Sequence, residues 1–214
     1  IPQKEMAMPQ CDELSDRARR IGAVNTVTFA KDGRLLGDNT DGFGFIENLR
    51  QVAPEIAFAS GPAVVLGAGG ACRAVLVALL DEGSPEIRLA NRTRKRAEDL
   101  AAEMNDPRIK VVDWPLSPDA LDGASLVVNT TSLGMVGQPP LEIDLAGLPQ
   151  TALVTDIVYA PLMTDLLAQA RERGNPIVDG LGMLLHQARP GFHRWFGIDP
   201  EVTQELRDFV LSPD

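Results

Sequence analysis

Lys4, Asn25, Thr40 and Asp41 are the residues near the start of the chain whose types suit proton transfer beside a carbonyl. Hydride transfer to a ketone, or from an alcohol, needs one group to exchange the hydroxyl proton and others to polarise the carbonyl. A lysine next to a carboxylate in a partly desolvated cleft can do both. Spacing alone does not bring these residues together. Taken singly, Lys4 reads as a surface lysine, Asp41 as a helix cap and Asn25 as a turn residue. His186 and His193 have no visible partner in the sequence and read as structural.

Such chemistry requires a hydride carrier, and Ala63 to Arg73, AVVLGAGGACR, has the form of a cradle for one. An apolar β-branched run feeds a glycine turn that opens into a helical pattern, the start of a dinucleotide-binding βαβ unit. Gly67 turns the chain. Gly69 lets a pyrophosphate approach the backbone, and the helix start beyond it offers free N–H groups. Cys72 takes the place of the third glycine of the general fingerprint, as a small side chain that still permits close packing of helix on strand. The next strand ends at Asn91 and is followed by Arg92, Thr93, Arg94, Lys95 and Arg96, with no acidic residue where an NAD-binding module would hold a ribose 2′-hydroxyl. A carboxylate repels a 2′-phosphate whereas an arginine fork pairs with it, so the predicted cofactor is NADP. A third polar stretch, Asn129 to Met135 (NTTSLGM), follows another strand. It suits either the nicotinamide ribose or an ordinary loop.

The elements that must position these groups follow from periodicity. Strands are predicted at 63–66, 86–90, 110–112, 125–129, 152–156 and 176–178, alternating with helices at 71–82, 94–104, 118–121 and 162–173. That alternation predicts a parallel sheet covered on both faces. Ahead of it come a strand end turning at Pro2 into a helix, a charged helix over 11–20 with Glu13 and Arg17 on one face, and an extended run over 21–29. A hairpin turn at Asp32-Gly33, a return over 34–37 and a helix over 43–52 complete that half. Helices over 183–189 and 201–211 close the chain. The predicted class is α/β: a Rossmann-like NADP domain over 41–179, plus part of a second α/β substrate domain built from both chain ends, 1–40 and 180–214. A cleft between the lobes follows, with hinges near Thr40–Gly42 and Asp179–Gly182.

The 214 residues are 44% hydrophobic but only 5% aromatic, which suits a core of Val, Leu, Ile and Ala. A net charge of −10 argues against nucleic acid or an anionic membrane as the main partner. Cys11 and Cys72 are too few for a disulfide framework and lack metal-ligand spacing, which fits a cytoplasmic protein with no metal. A chain that opens at Ile1-Pro2 in the middle of a motif also suggests residues ahead of it.

Eight stretches in order resemble the shikimate dehydrogenase family: IPQKE at 1–5, IGAVNT at 21–26, DNTDGFGF at 38–45, VVLGAGGACRA at 64–74, NRTRKRA at 91–97, NTTSLGM at 129–135, DIVYAPLMT at 156–164 and GLGMLLHQA at 180–188. The resemblance implies an NADP-dependent oxidoreductase interconverting 3-dehydroshikimate and shikimate in aromatic amino-acid biosynthesis. Lys4 and Asp41 match the family's catalytic pair. Asn25 and Gln187 match substrate ligands, with Thr26 and Asn39 as neighbours and Tyr159 near the substrate carboxylate. Gly67, Ala68, Gly69, Gly70 and Ala71 match its pyrophosphate loop, and Asn91, Arg92, Thr93 and Arg96 its 2′-phosphate clamp. Thr130, Ser132, Met135, Ile157, Gly180 and Met183 complete the implied cofactor contacts, Met183 packing beside the nicotinamide. Gln3 stands where the family usually carries an aromatic residue or His. The family's segment ahead of the lysine, with a Ser-x-Ser pair, has no counterpart in this sequence. The rival readings are a quinate or aminoshikimate dehydrogenase and a non-catalytic NADP-binding module; a homodimer is a possible assembly.

Overall fold

The computed structural model describes residues 2–212. The chain begins with α1 (Pro2–Met6), β1 (Glu13–Leu14) and α2 (Asp16–Ile21). The predicted helix over 11–20 is therefore split. Ser15 takes an extended conformation and accepts a hydrogen bond from the Ala18 N–H, so α2 starts only after it. The residues before Ser15 pair as a strand, and Glu13 meets Arg34 at 2.8 Å, not Arg17. α2 stops at Gly22, whose φ of 75° closes the helix in the left-handed region. The extended run is thereby shortened to β2 (Thr26–Phe29), which pairs antiparallel with β3 (Leu35–Asp38) across the predicted hairpin. β1 adds parallel to β3, so the small sheet has the order β1-β3-β2.

α3 (Asp41–Val52) leads from this sheet into the larger one. There β4 (Ala63–Leu66), α4 (Gly70–Asp81), β5 (Ile87–Ala90), α5 (Arg94–Met104), β6 (Ile109–Val111), β7 (Leu126–Asn129), β8 (Leu153–Asp156), α6 (Asp165–Glu172) and β9 (Ile177–Val178) follow in turn. All strand pairs are parallel, in the order β6-β5-β4-β7-β8-β9. The chain runs outward from β4 in one direction and returns to run outward in the other from β7. The crevice beyond the carboxyl ends of β4 and β7 is the switch point where ligands bind in open α/β sheets.

The strands of this sheet are buried on both faces, and the period of two shows in which face each residue serves. Ala63 and Val65 join the core under α3, α4 and α5 with Phe45, Leu49, Val75 and Leu79. Val64 and Leu66 join the opposite core with Leu121, Leu145, Leu166 and Leu167. No helix among the described residues is long and apolar enough to cross a membrane.

The last elements are α7 (Leu181–Phe196) and α8 (Gln204–Leu211). The sequence pattern ends the first of these at Arg189, before Pro190, because proline lacks the N–H that continues a helix. The helix continues because tertiary contacts hold its second half. Trp195 Nε1 donates to the Val27 carbonyl at 3.2 Å, and Arg194 pairs with Asp38 at 2.6 Å. Its first half packs against α3 so closely that a Cβ on Gly44 would lie 2.6 Å from the Met183 carbonyl oxygen and 2.7 Å from Gln187 N. α7 thus runs from the switch-point crevice to the small sheet.

Candidate active site

The pairing of β2 with β3 puts the first group of polar residues together. Thr26 lies opposite Asp38 in that register, so Asn25, immediately before β2, faces the turn that follows β3. That turn is Asn39-Thr40, and Asp41 opens α3, where a carboxylate is favoured by the helix dipole. Lys4 Nζ donates to Asp41 Oδ2 at 2.7 Å. Asn25 Nδ2 donates to Asp41 Oδ1 at 2.8 Å. On its other side Asn25 Oδ1 accepts from Thr26 Oγ1 at 2.9 Å, Thr40 N at 3.0 Å and Thr40 Oγ1 at 3.1 Å. Asn39 Oδ1 accepts the Asp41 N–H at 3.0 Å. Its side-chain amide donates to the Ala23 carbonyl at 3.1 Å. α1 is tied in by the Val24 N–H, which donates to the Lys4 carbonyl at 2.8 Å.

The result is an asymmetric pair. The Asp41 side chain is 8% exposed while that of Lys4 is 41% exposed. An ammonium has three N–H donors, and Asp41 takes one of those of Lys4, leaving the group able both to donate to a ligand and to exchange with solvent. Asn39 and Thr26 are buried, and the side chain of each bonds to protein partners that shape the turn. Gln187 is half-buried on α7, where that helix crosses α3 one turn beyond Asp41. Tyr159 lies half-exposed in the loop after β8.

The glycine loop sits beside this pair. A Cβ on Gly42 would lie 3.0 Å from the carbonyl of Ala74, in the first part of α4. Gly67 has φ of 109°, and a Cβ there would meet Thr130 Oγ1 at 2.7 Å, so the turn demands glycine. The Thr130 hydroxyl donates to the Leu66 carbonyl at 2.6 Å and so braces the loop from behind. At Gly69 nothing lies within 4 Å of a Cβ position, which leaves open space over the N-terminus of α4, with Gly70 and Ala71 in its first turn. Cys72 is fully buried, and desolvation pushes its thiol up to about 12; it is a packing residue with no exposed thiolate.

At the end of β5 the basic run divides. Arg94 pairs with Glu98 at 2.9 Å and with Asp113, and Lys95 pairs with Asp99. Arg92 and Arg96 are exposed, and their side chains make no hydrogen bond or ion pair among the described residues. Asn91 Nδ2 donates to the Thr93 carbonyl at 2.9 Å, and Thr93 precedes α5 without capping it. The free pair thus flanks a helix start whose N–H groups lack a side-chain cap, an arrangement that accepts a phosphate.

A buried carboxylate that sequence reasoning left without a role organises the remaining loops. Asp156 Oδ1 accepts from Asn129 Nδ2 at 2.9 Å and from Val158 N at 3.0 Å, and Oδ2 accepts from Thr164 Oγ1 at 2.8 Å. Burial raises its pKa, and the three donors act against that rise. Asn129 Oδ1 in turn accepts from Thr131 N at 3.0 Å and Thr131 Oγ1 at 2.7 Å, which folds the loop carrying Ser132 and Met135. The sequence signal for this was the Asn-x-Thr spacing at the end of β7. Gly180 packs on Ile157 with no room for a side chain, placing the start of α7, with Met183, against the loop after β8.

A cradle for a hydride carrier beside a lysine that can exchange a proton is the division of labour of a dinucleotide-linked dehydrogenase. Comparison with known proteins narrows the class. The family described as Shikimate / quinate 5-dehydrogenase matches residues 50–136, and the one described as Shikimate dehydrogenase substrate binding domain matches residues 1–27. The shikimate dehydrogenase (NADP(+)) of Paramagnetospirillum magneticum is 60% identical over 212 residues, covering 99% of this chain and 76% of that protein. That of Rhodospirillum rubrum is also 60% identical, over 215 residues, with the same coverage. Among solved structures, shikimate 5-dehydrogenase from Thermus thermophilus in complex with NADP(H) and shikimate is 39% identical, with a TM-score of 0.81 over 94% of this chain and 72% of that one. Quinate dehydrogenase from Corynebacterium glutamicum in complex with NAD is 34% identical, with a TM-score of 0.88 over 98% and 75%. The chain belongs to the shikimate dehydrogenase family.

Proposed function

We propose that Lys4 and Asp41 are the proton-transfer pair of an NADP-dependent shikimate dehydrogenase that interconverts 3-dehydroshikimate and shikimate. The observation that carries this reading is the 2.7 Å contact of Lys4 with a carboxylate that Asn25 holds from its other side. When bound, NADPH supplies the hydride to the ketone carbon. As the carbonyl oxygen gains charge, Lys4 gives it a proton from Nζ, which completes the hydroxyl; the amine left behind is reprotonated from solvent through its exposed side. In the oxidation direction Lys4 takes that proton back. Asp41 aims the ammonium through the 2.7 Å contact, and its remaining acceptor capacity meets a ring hydroxyl. Asn25 and Gln187 offer amides to the other hydroxyls, and Tyr159 borders the carboxylate end of the substrate.

The residues that would hold the cofactor fit it. Gly69 leaves room for a pyrophosphate over the start of α4, and Arg92 with Arg96 form a free cationic pair for a 2′-phosphate. Ser132, Met135, Ile157, Gly180 and Met183 would border the nicotinamide end of the bound cofactor. This basic pair also favours an NADP-linked shikimate enzyme over an NAD-linked quinate enzyme. Initial rates with NADP and shikimate, against NAD and quinate, test the assignment in the full natural protein. Dominant turnover of quinate with NAD would overturn it.

The division into a nucleotide lobe over 41–179 and a substrate lobe from 1–40 and 180–214 belongs to the same proposal. It is supported by the bonds from α7 to the small sheet. Hinges at Thr40–Gly42 and Asp179–Gly182 would let the lobes close. A cytoplasmic location, in line with the free thiols of Cys11 and Cys72, and a homodimer complete the reading. Sedimentation of the purified protein decides the last point.

A further inference from the structure

Asp38 lies three residues before Asp41, is nearly fully buried, and gathers donors from separate parts of the chain. Its Oδ1 accepts from the Asn39 N–H at 2.8 Å and from the Ser15 hydroxyl. Its Oδ2 accepts from Arg194 Nη2 at 2.6 Å, and its backbone carbonyl accepts the Asn25 N–H at 3.0 Å. Arg194 is the cation paired with this carboxylate among the described residues.

Gln187 and Arg194 are seven residues apart on α7, two turns that bring them to the same face, about 10 Å apart along the axis. Pro190 stands between them without an N–H for the carbonyl one turn back, so the helix lacks a bond where it would resist bending. Gln187 lies on the first half of α7, which packs on α3, so what has to be set from outside the helix is the direction of the second half and, with it, the seat of the small sheet relative to Gln187. Arg194 on Asp38 supplies a fixed point, and Asp38 is also the residue that holds Asn39 and Asn25, the two amides that aim Asp41.

We propose that Arg194, acting through Asp38, is a positioning residue for the reaction, fixing the Gln187 face of α7 relative to the Asn25–Asp41 turn and so setting the substrate half of the site. The proposal rests on the reading of Lys4 and Asp41 as the reacting pair. Its signature is selective: the substrate half should loosen while the glycine loop and the Arg92–Arg96 pair stay as they are.

The test uses the full natural protein and its Arg194→Ala and Arg194→Lys variants. kcat and KM for shikimate are measured at saturating NADP, and the Kd for NADP by fluorescence titration. The expected result for Arg194→Ala is a fall of roughly tenfold to a hundredfold in kcat/KM for shikimate. NADP Kd should stay within about twofold. Arg194→Lys, which keeps one charged donor, should recover part of the loss. An unchanged kcat/KM in folded Arg194→Ala would overturn the proposal, as would an NADP Kd that rises in step with the loss. Should the Ala variant not fold, Arg194→Gln, which keeps an N–H without the charge, is read in the same way. Lys4→Ala measured alongside separates the two ideas: retained turnover there would sink the reacting-pair reading whatever Arg194 does.

Discussion

Along the substrate edge of the crevice the polar groups answer one another, whereas along the cofactor edge they are held apart. Asp41 takes Lys4 and Asn25, Asn25 takes Thr26 and Thr40, and Asn39 takes the Asp41 N–H. The side chains of Arg92 and Arg96 have no such partner among the described residues, and Gly69 faces open space. The two edges solve different problems. A proton donor must be aimed before substrate arrives, so its neighbours are fixed by mutual bonds. A dinucleotide brings its own charge, so the protein keeps unpaired donors for it, and like charges can stand close on the surface because solvent screens them. Substitutions on the first edge should therefore act on turnover, whereas removal of the unpaired side chains of the second should disturb cofactor affinity with the fold unmoved; the backbone of the glycine loop lies outside that distinction, because it is part of the fold.

The largest effect is expected at Lys4. Lys4→Ala removes the proton donor, and kcat should fall roughly a hundred- to ten-thousandfold with NADP affinity retained; near wild-type turnover would place the proton transfer elsewhere. Gly67→Ala sharpens the comparison from the backbone side. Its φ of 109° and the 2.7 Å approach of Thr130 Oγ1 leave no room for a methyl group. The loop must shift, at a cost of about 1–3 kcal/mol of stability. Thermal unfolding and NADP titration should both worsen, and a variant that keeps both would show that the loop has more freedom than its geometry suggests. Arg92→Ala and Arg96→Ala should each raise the KM for NADP about tenfold, from the loss of a charge-assisted bond, while Tm and the KM for NAD stay as they were. A parallel drop in Tm would break the distinction between the two edges.

Much of the fold is legible in the sequence because it depends on local rules. β-branched runs punctuated by glycines locate the strands from Ala63 to Val178 within a residue or two, and their alternation with helices dictates a parallel sheet. What escapes is decided by tertiary contact. The stretch 11–20 has helical charge spacing, yet Ser15 caps α2 in its middle and β3 recruits Glu13 and Leu14 as a strand. Pro190 reads as a stop, yet bonds to Asp38 and Val27 carry α7 past it. The site divides in the same way. The glycine loop and the basic run announce themselves because their residues are consecutive. Lys4 and Asp41 are 37 positions apart and meet through the β2–β3 register together with the Val24 N–H that holds the Lys4 carbonyl, so no spacing rule reveals them. Which arginines of the run are free depends on Asp113, which lies beyond the next strand, and the part played by Asp156 depends on three loops converging on one carboxylate.

The smallest effect tests where the supporting framework ends, at the contact of α7 with α3 away from the crevice. His186 is buried, with Nε2 2.8 Å from Gln51 Oε1 and Nδ1 3.4 Å from Arg189 Nη1. Burial lowers its pKa below the ordinary 6.5, the positive charges of Arg189 and Arg207 push the same way, and Glu47 opposes them. The folded protein thus holds the imidazole neutral where the unfolded chain would protonate it. A group with a depressed folded pKa contributes stability that is present above its unfolded pKa and lost as pH falls through the folded value. Wild-type Tm should therefore decline as the pH drops below about 6.5, beyond the decline due to carboxylates, and His186→Gln, which cannot titrate, should remove that part of the slope. Turnover at pH 8 should hardly change in the same variant, because neither Lys4 nor the cofactor loops contact this ring. A His186→Gln protein whose Tm profile kept the wild-type slope between pH 7 and 5 would assign the loss to other groups. One whose turnover collapsed at pH 8 would mean that the α3–α7 contact transmits strain into the crevice, and the separation drawn between framework and site would have to be redrawn there.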